Sequence, residues 1–193
     1  MRLILLAIIA MSFPAMARED MPAKAWLENM SQALREQEFK ISLIQLQADH
    51  IRPLVYIHGK VNDEEVAFLE HLNGPPKNAV RVGNTVTFIE HDQPAYSVHA
   101  NRIQGVIPGA FADDVSKLED GYQFVLGGRS RIAGRPGQLV RIIPIDNNRY
   151  GFQVWLDMDT YLPPRFDIVS GDEQLLVQLL VVELLVLDEV PAI

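Results

Sequence analysis

Leu139-Val140-Arg141-Ile142-Ile143-Pro144-Ile145-Asp146-Asn147-Asn148-Arg149-Tyr150-Gly151-Phe152-Gln153-Val154-Trp155-Leu156-Asp157 is the stretch on which the fold turns. In its second arm Phe152, Val154 and Leu156 face one way while Gln153, Trp155 and Asp157 face the other. That period of two predicts a half-buried strand. Asp146-Asn147-Asn148 supplies turn residues between two such arms, so the stretch reads as a β-hairpin. Upstream, Tyr122-Gln123-Phe124-Val125-Leu126 reads as another strand, running through Gly127-Gly128 into Arg129-Ser130-Arg131-Ile132. Downstream, Pro163-Pro164 introduces a strand over 165–169, and Ser170-Gly171-Asp172 turns into 173–190. This last segment is Leu-rich with Gln178 and Glu183; its propensity favours helix, its tight connection favours strand, and both readings stand.

The first half of the chain has the same β character. Phe39, Ile41 and Leu43 alternate, then the apolar positions slip by one to Ile44 and Leu46, the pattern a β-bulge produces. Short strands are expected over 54–58, 66–72, 79–82 and 85–90, the last two joined by Gly83-Asn84. Ahead of them Trp26, Leu27, Met30, Ala33 and Leu34 recur at helical spacing, which predicts an amphipathic helix over 23–37 with Pro22 at its start. Residues 101–121 have little alternation and predict one or two short helices with Phe111, Val115 and Leu118 on one face. The class is α+β: consecutive antiparallel strands, one leading helix and a short helical insert. Helices covering one face require a strongly curved sheet.

At 193 residues the chain fits one domain with a leader, and 48% apolar with 22% charged residues is a globular composition. A formal net charge of −8 argues against a nucleic-acid surface. The absence of cysteine excludes disulfides, thiolate nucleophiles and cysteine zinc sites. Residues 1–17 read as an export signal: Arg2, an apolar run over 3–11, Pro14, then Ala15-Met16-Ala17 as a small-x-small cleavage site. The run is shorter than the roughly twenty residues of a membrane span. The mature chain is expected to be 18–193, soluble outside the cytoplasm.

The residues point to no catalytic constellation. Histidines 50, 58, 71, 91 and 99 lie in separate strands or loops without metal-ligand spacing, so no metal is expected. No serine sits in a G-x-S-x-G elbow, and Gly127-Gly128 fits neither phosphate-loop spacing. Asp63-Glu64-Glu65, Asp113-Asp114 and Glu119-Asp120 read as solvated turns, and nothing selects a carboxylate pair for hydrolysis. The arginines are less ordinary. Between 129 and 165 lie six of them (Arg129, Arg131, Arg135, Arg141, Arg149 and Arg165) and no lysine. They either fork onto phosphate or carboxylate groups of a ligand or, more plainly, pair with Asp146, Asp157, Asp159 and Asp167. Arg129, Arg131 and Arg141 are the candidates for an anionic headgroup. An apolar cavity under a curved sheet would suit an acyl chain, though a filled core explains the composition as well.

Gly128-Arg129-Ser130-Arg131-Ile132-Ala133-Gly134-Arg135, Val154-Trp155-Leu156-Asp157 and Thr160-Tyr161-Leu162-Pro163-Pro164-Arg165 together resemble the N-terminal domain of the RseB/MucB family, periplasmic negative regulators of the envelope-stress sigma factor. Tyr56-Ile57-His58-Gly59, Leu72-Asn73-Gly74-Pro75-Pro76 and Arg81-Val82-Gly83-Asn84 follow that family in the same order, so the likeness covers roughly 23–182. The resemblance implies a fold similar to LolA and LolB, a half-open, strongly curved antiparallel β-barrel with helices on its concave side. It implies regulation without catalysis and without a cofactor: binding the periplasmic segment of an RseA- or MucA-like anti-sigma factor, shielding it from proteolysis, and release by lipopolysaccharide or mislocalised lipoprotein. A LolA-like lipid or lipoprotein carrier without an anti-sigma partner is the alternative, and a hydrolase using paired carboxylates a third. Members of the family continue into a smaller C-terminal domain, whereas this chain ends at Ile193, so the expectation concerns the large domain, 18–193, alone.

Overall fold

A computed structural model describes residues 21–146 and 148–191. The expected signal at 1–17 lies outside the described residues. The leading helix α1, Ala23–Glu36, buries Trp26, Leu27, Met30, Ala33 and Leu34, the stripe its spacing predicted. Eleven strands follow: β1 Phe39–Gln47, β2 His50–Val61, β3 Glu64–His71, β4 Lys77–Val82, β5 Thr85–Glu90, β6 Tyr96–His99, β7 Tyr122–Ile132, β8 Arg135–Pro144, β9 Gly151–Asp157, β10 Arg165–Val169 and β11 Leu175–Val186. A short helix α2, Ala110–Asp113, and a 3₁₀ turn, Val115–Leu118, lie between β6 and β7.

The strands form one antiparallel sheet in the order β6-β5-β4-β3-β2-β1-β11-β10-β9-β8-β7. The chain builds outward from the centre to one edge, crosses over, and builds back from the opposite edge until β11 pairs with β1. β6 and β7 are not paired with each other, so the sheet curves without closing. Its inner face, α1, α2 and the crossover share one core that includes Leu27, Met30, Phe39, Leu54, Phe111, Val140, Val154, Leu156 and Phe166. Phe111 from α2 stands edge-on to both Phe152 and Phe166, an arrangement favoured by the ring quadrupoles. The helices and the crossover therefore occupy the concave side, and the fold is the half-open curved sheet the resemblance implied.

Two-residue turns set the registers. Ala133-Gly134 links β7 to β8 with φ of +50° and +79°, and the second of these is readily met by glycine. Between Leu126 and Arg129 the β7–β8 register shifts by one residue. There Gly127 lets Leu139 close in: a Cβ at Gly127 would stand 2.7 Å from Leu139. Gln138 fills the bulge, donating from Nε2 to the Gly127 carbonyl at 2.7 Å.

One expectation is revised, one open reading is settled and one strand is new. The slip at Ile44 and Leu46 does not mark a bulge in β1, whose register with β2 runs unbroken from Phe39↔His58 to Gln47↔His50. The irregularity lies in β11, where Val182 is the additional residue between Glu183↔Ser42 and Val181↔Leu43. Ile44 and Leu46 are apolar side chains on the outer face, level with Pro53 and Ile51 of β2. Residues 175–186 form a strand, which settles the ambiguity of the last segment. A strand at β6, where no expectation stood, pairs with β5.

The motif residues Asp157 and Thr160-Tyr161-Leu162 form a structural staple. Asp157, fully buried, accepts from Arg135 Nε at 2.7 Å, Thr160 N and Oγ1 at 2.8 Å each, and Asp159 N at 3.2 Å. Burial works against its charge, but Arg135 and the Thr160 donors outweigh it and hold the carboxyl below its ordinary range. The turn thus anchored keeps Tyr161 at φ +60°, costly for a bulky residue, with its ring 5.4 Å from Trp26 of α1.

Candidate functional site: the concave hollow and the arginines

Residues 101–109 cross the concave face as a plug. Ile103 and Val106 are buried against the sheet. Among the described residues, no backbone hydrogen bond ties 101–107 to a strand. A side-chain bond from Gln45 to the Gly105 carbonyl at 3.3 Å is the polar tie to the sheet. Around the plug lie three hollows. One, of about 400 Å³, is walled by Phe166, Ile168, Val177 and Leu179 of β10 and β11. Another, of about 380 Å³, is walled by Leu54, Leu69, Ala79 and Phe88. The third, of about 260 Å³, lies between the end of α1 and β1–β4, and it is the chemically rich one.

Strand alternation aims Tyr56 and His58 of β2, Glu65 of β3 and Arg81 of β4 inward. Arg81 grips Glu65 with both terminal nitrogens, at 2.6 and 2.8 Å, and its Nε donates to the Gly83 carbonyl at 2.7 Å. His58, 2% exposed, stands between the Gln37 carbonyl (2.9 Å from Nδ1) and Glu65 Oε1 (3.0 Å from Nε2). Both ring nitrogens thus lie within hydrogen-bond reach of oxygen atoms. Burial disfavours the Glu65 charge, yet Arg81 and His58 more than compensate and lower its pKa. Burial pushes the Tyr56 hydroxyl up to about 12, against the opposing pull of Arg81.

Two further arginines close the hollow. Arg35 of α1 donates to the carbonyls of Ala112 and Asp113 at 2.7 and 2.9 Å. Arg102 donates to the Gly109 carbonyl at 2.8 Å and pairs with Asp113. The two carboxylates of this hollow, Glu65 and Asp113, are each engaged by an arginine. The lining is mixed, with Leu34, Phe39, Ile103 and Val106 set beside these paired charges. Among the described residues no cluster of three or more potential metal ligands occurs.

The arginines singled out in the sequence do not converge. Arg129 faces the concave side with Gln138, to which its Nε donates at 2.9 Å. Arg131 is on that face too, opposite Pro136, and donates to the Gly134 carbonyl at 3.1 Å. Arg141 pairs in register with Val125 and Gln153 on the outer face and forms an ion pair with Glu173. One headgroup therefore does not meet all three. Arg135, Arg149 and Arg165 pair with Asp157, Asp146 and Asp167, the plainer of the two readings.

The hollow residues Arg35, Tyr56, His58, Glu65, Arg81 and Arg102 went unselected in the sequence. Glu65 reads there as part of a solvated turn, but Asn62 and Asp63 make the turn, with φ of +52° and +65°, and Glu65 belongs to β3. Its parity with Ala67 and Leu69 was the available signal.

The sequence pattern of the MucB/RseB N-terminal domain matches residues 22–193. The chain belongs to that family. It is 29% identical over 177 residues to the sigma-E factor regulatory protein RseB of Salmonella typhimurium, covering 92% of this chain and 56% of the relative. It is 29% identical over 184 residues to the sigma factor AlgU regulatory protein MucB of Pseudomonas aeruginosa, covering 90% of this chain and 53% of MucB. The solved complex of Pseudomonas aeruginosa MucA and MucB aligns with a TM-score of 0.72 at 26% identity, covering 88% of this chain and 58% of the matched one. The chain thus spans little more than half the length of these RseB/MucB relatives.

Proposed function

We propose that this RseB/MucB domain acts in the periplasm as a negative regulator of an envelope-stress sigma factor. In this reading it holds the periplasmic segment of an anti-sigma factor and shields it from proteolysis, and lipopolysaccharide or lipoprotein releases it. The observation that carries the reading is membership of the family together with the likeness to a MucB solved in complex with MucA. The hollow is consistent with a binding role, since its carboxylates are engaged by arginines rather than poised as an acid–base pair. Titration of the purified chain with the periplasmic segment of MucA, by calorimetry with and without lipopolysaccharide, tests it. Saturable binding that lipopolysaccharide weakens is expected; no binding overturns the reading.

The apolar hollow walled by Phe166, Ile168, Val177 and Leu179 favours a second reading, a carrier of acyl chains. Native mass spectrometry of the purified chain showing bound fatty acyl species, with no affinity for the MucA segment, would move the assignment there.

A further inference from the structure

We propose that the edge of β7, unpaired among the described residues, takes an extended acidic polypeptide segment by strand addition, and that it is the edge used by the anti-sigma segment; the inference rests on the reading just given. Ile145 N donates to the Gly121 carbonyl at 2.9 Å, which fixes the phase of the β7–β8 ladder. In an antiparallel ladder, alternate residues turn both backbone groups toward the partner and the others turn them away. Tyr122, Phe124 and Leu126 therefore offer N–H and C=O to the free edge. Past the bulge the phase places Ser130, opposite Gly137, toward β8, so Arg131 offers its groups outward as well. Among the described residues the backbone groups of Tyr122, Phe124, Leu126 and Arg131 have no partner outside the sheet ladder.

The opposite edge is much poorer. Ala100 N donates to the Asn84 carbonyl at 3.0 Å, so β6 turns only Ser97 and His99 outward, over a four-residue strand. Glu90 and Asp92 lie close to it in sequence. The eleven-residue β7 instead ends in Arg129 and Arg131, on a chain whose net charge is −8. Beside them Met158 and Pro136 floor a shallow apolar dish. Long unpaired edges attract other strands, and proteins guard them with charge and bulges. Here the guard is cationic, so it repels basic strands and admits an acidic one; the ladder supplies affinity and the arginines register.

Hydrogen exchange of the full chain with and without the periplasmic segment of MucA tests the proposal. On saturation the amides of Phe124 and Leu126 should slow at least about tenfold, while those of Ser97 and His99 should not change. The double substitution Arg129→Glu/Arg131→Glu, and Arg131→Glu alone, each checked for an unchanged melting transition, should weaken binding. The expected loss for the double variant is about tenfold at low salt, shrinking as salt is raised. Binding that protects β6 or the concave hollow but leaves β7 amides unchanged overturns this inference and spares the regulatory reading. Absence of binding overturns both. Anionic phosphatidylglycerol vesicles that bind through Arg129 and Arg131 without slowing β7 amides would reassign those arginines to a lipid headgroup and overturn it too.

Discussion

Two groups of arginines in this molecule behave in opposite ways. Arg35, Arg81 and Arg102 are far apart in sequence, yet all line one hollow of about 260 Å³. Arg129, Arg131 and Arg141 are close in sequence and are split between the two faces of the sheet. The difference follows from strand parity. Neighbouring antiparallel strands bring directly opposed residues to the same face, so an odd shift at a bulge or turn reverses which face a side chain meets. Density of a residue type along a hairpin is therefore a weak guide to a site. Inward parity on several strands, beneath a cover, is a stronger one.

The comparison can be broken at four points. Asp157→Ala removes the anchor of Arg135 and of the turn that holds Tyr161. It should cost about 3 kcal/mol by denaturant unfolding, as loss of one partner from a buried pair does, and a loss below about 1 kcal/mol would show the staple to be dispensable. Arg81→Met leaves Glu65 with His58 alone, and a cost of about 2 kcal/mol is expected from the same measurement. If instead the variant were as stable as the parent, the hollow's charges would be surface pairs in effect.

Acid should act through the same two carboxyls. Both Glu65 and Asp157 bind protons more weakly in the fold than in the unfolded chain. Their contribution is therefore intact above the ordinary carboxylate range of about 4 and fades as the pH falls below it. Unfolding followed from pH 6 to pH 3 should show this loss, and Asp157→Ala should blunt it. The smallest effect belongs to Arg141→Ala. Its ion pair joins a half-exposed arginine on the outer face to the exposed Glu173 of the β10–β11 loop, so a change within about 0.5 kcal/mol is expected. Affinity for the MucA segment should also stay unaltered; a marked loss of affinity would place the outer face in the binding surface.

Much of the fold was legible because period and turn chemistry agreed: the stripe of α1, the β4–β5 turn at Gly83-Asn84 and the β9 alternation are as read. β11 was ambiguous for a physical reason. It lies at the centre of the sheet between β1 and β10, and its Leu and Val occupy both faces, so no period of two survives. β6 left no signal, since all four of its residues are exposed. Within the site, the pairing of Arg135, Arg149 and Arg165 with nearby aspartates was readable. The network of His58, Glu65 and Arg81 was not, because it depends on three strands coming into register.

The gap between β6 and β7 has a mechanical meaning. In a closed barrel, strand number and shear fix the girth. Here no rung joins β6 to β7, so the shape of the wall is set by the twist of its strands and by the core packed against its inner face.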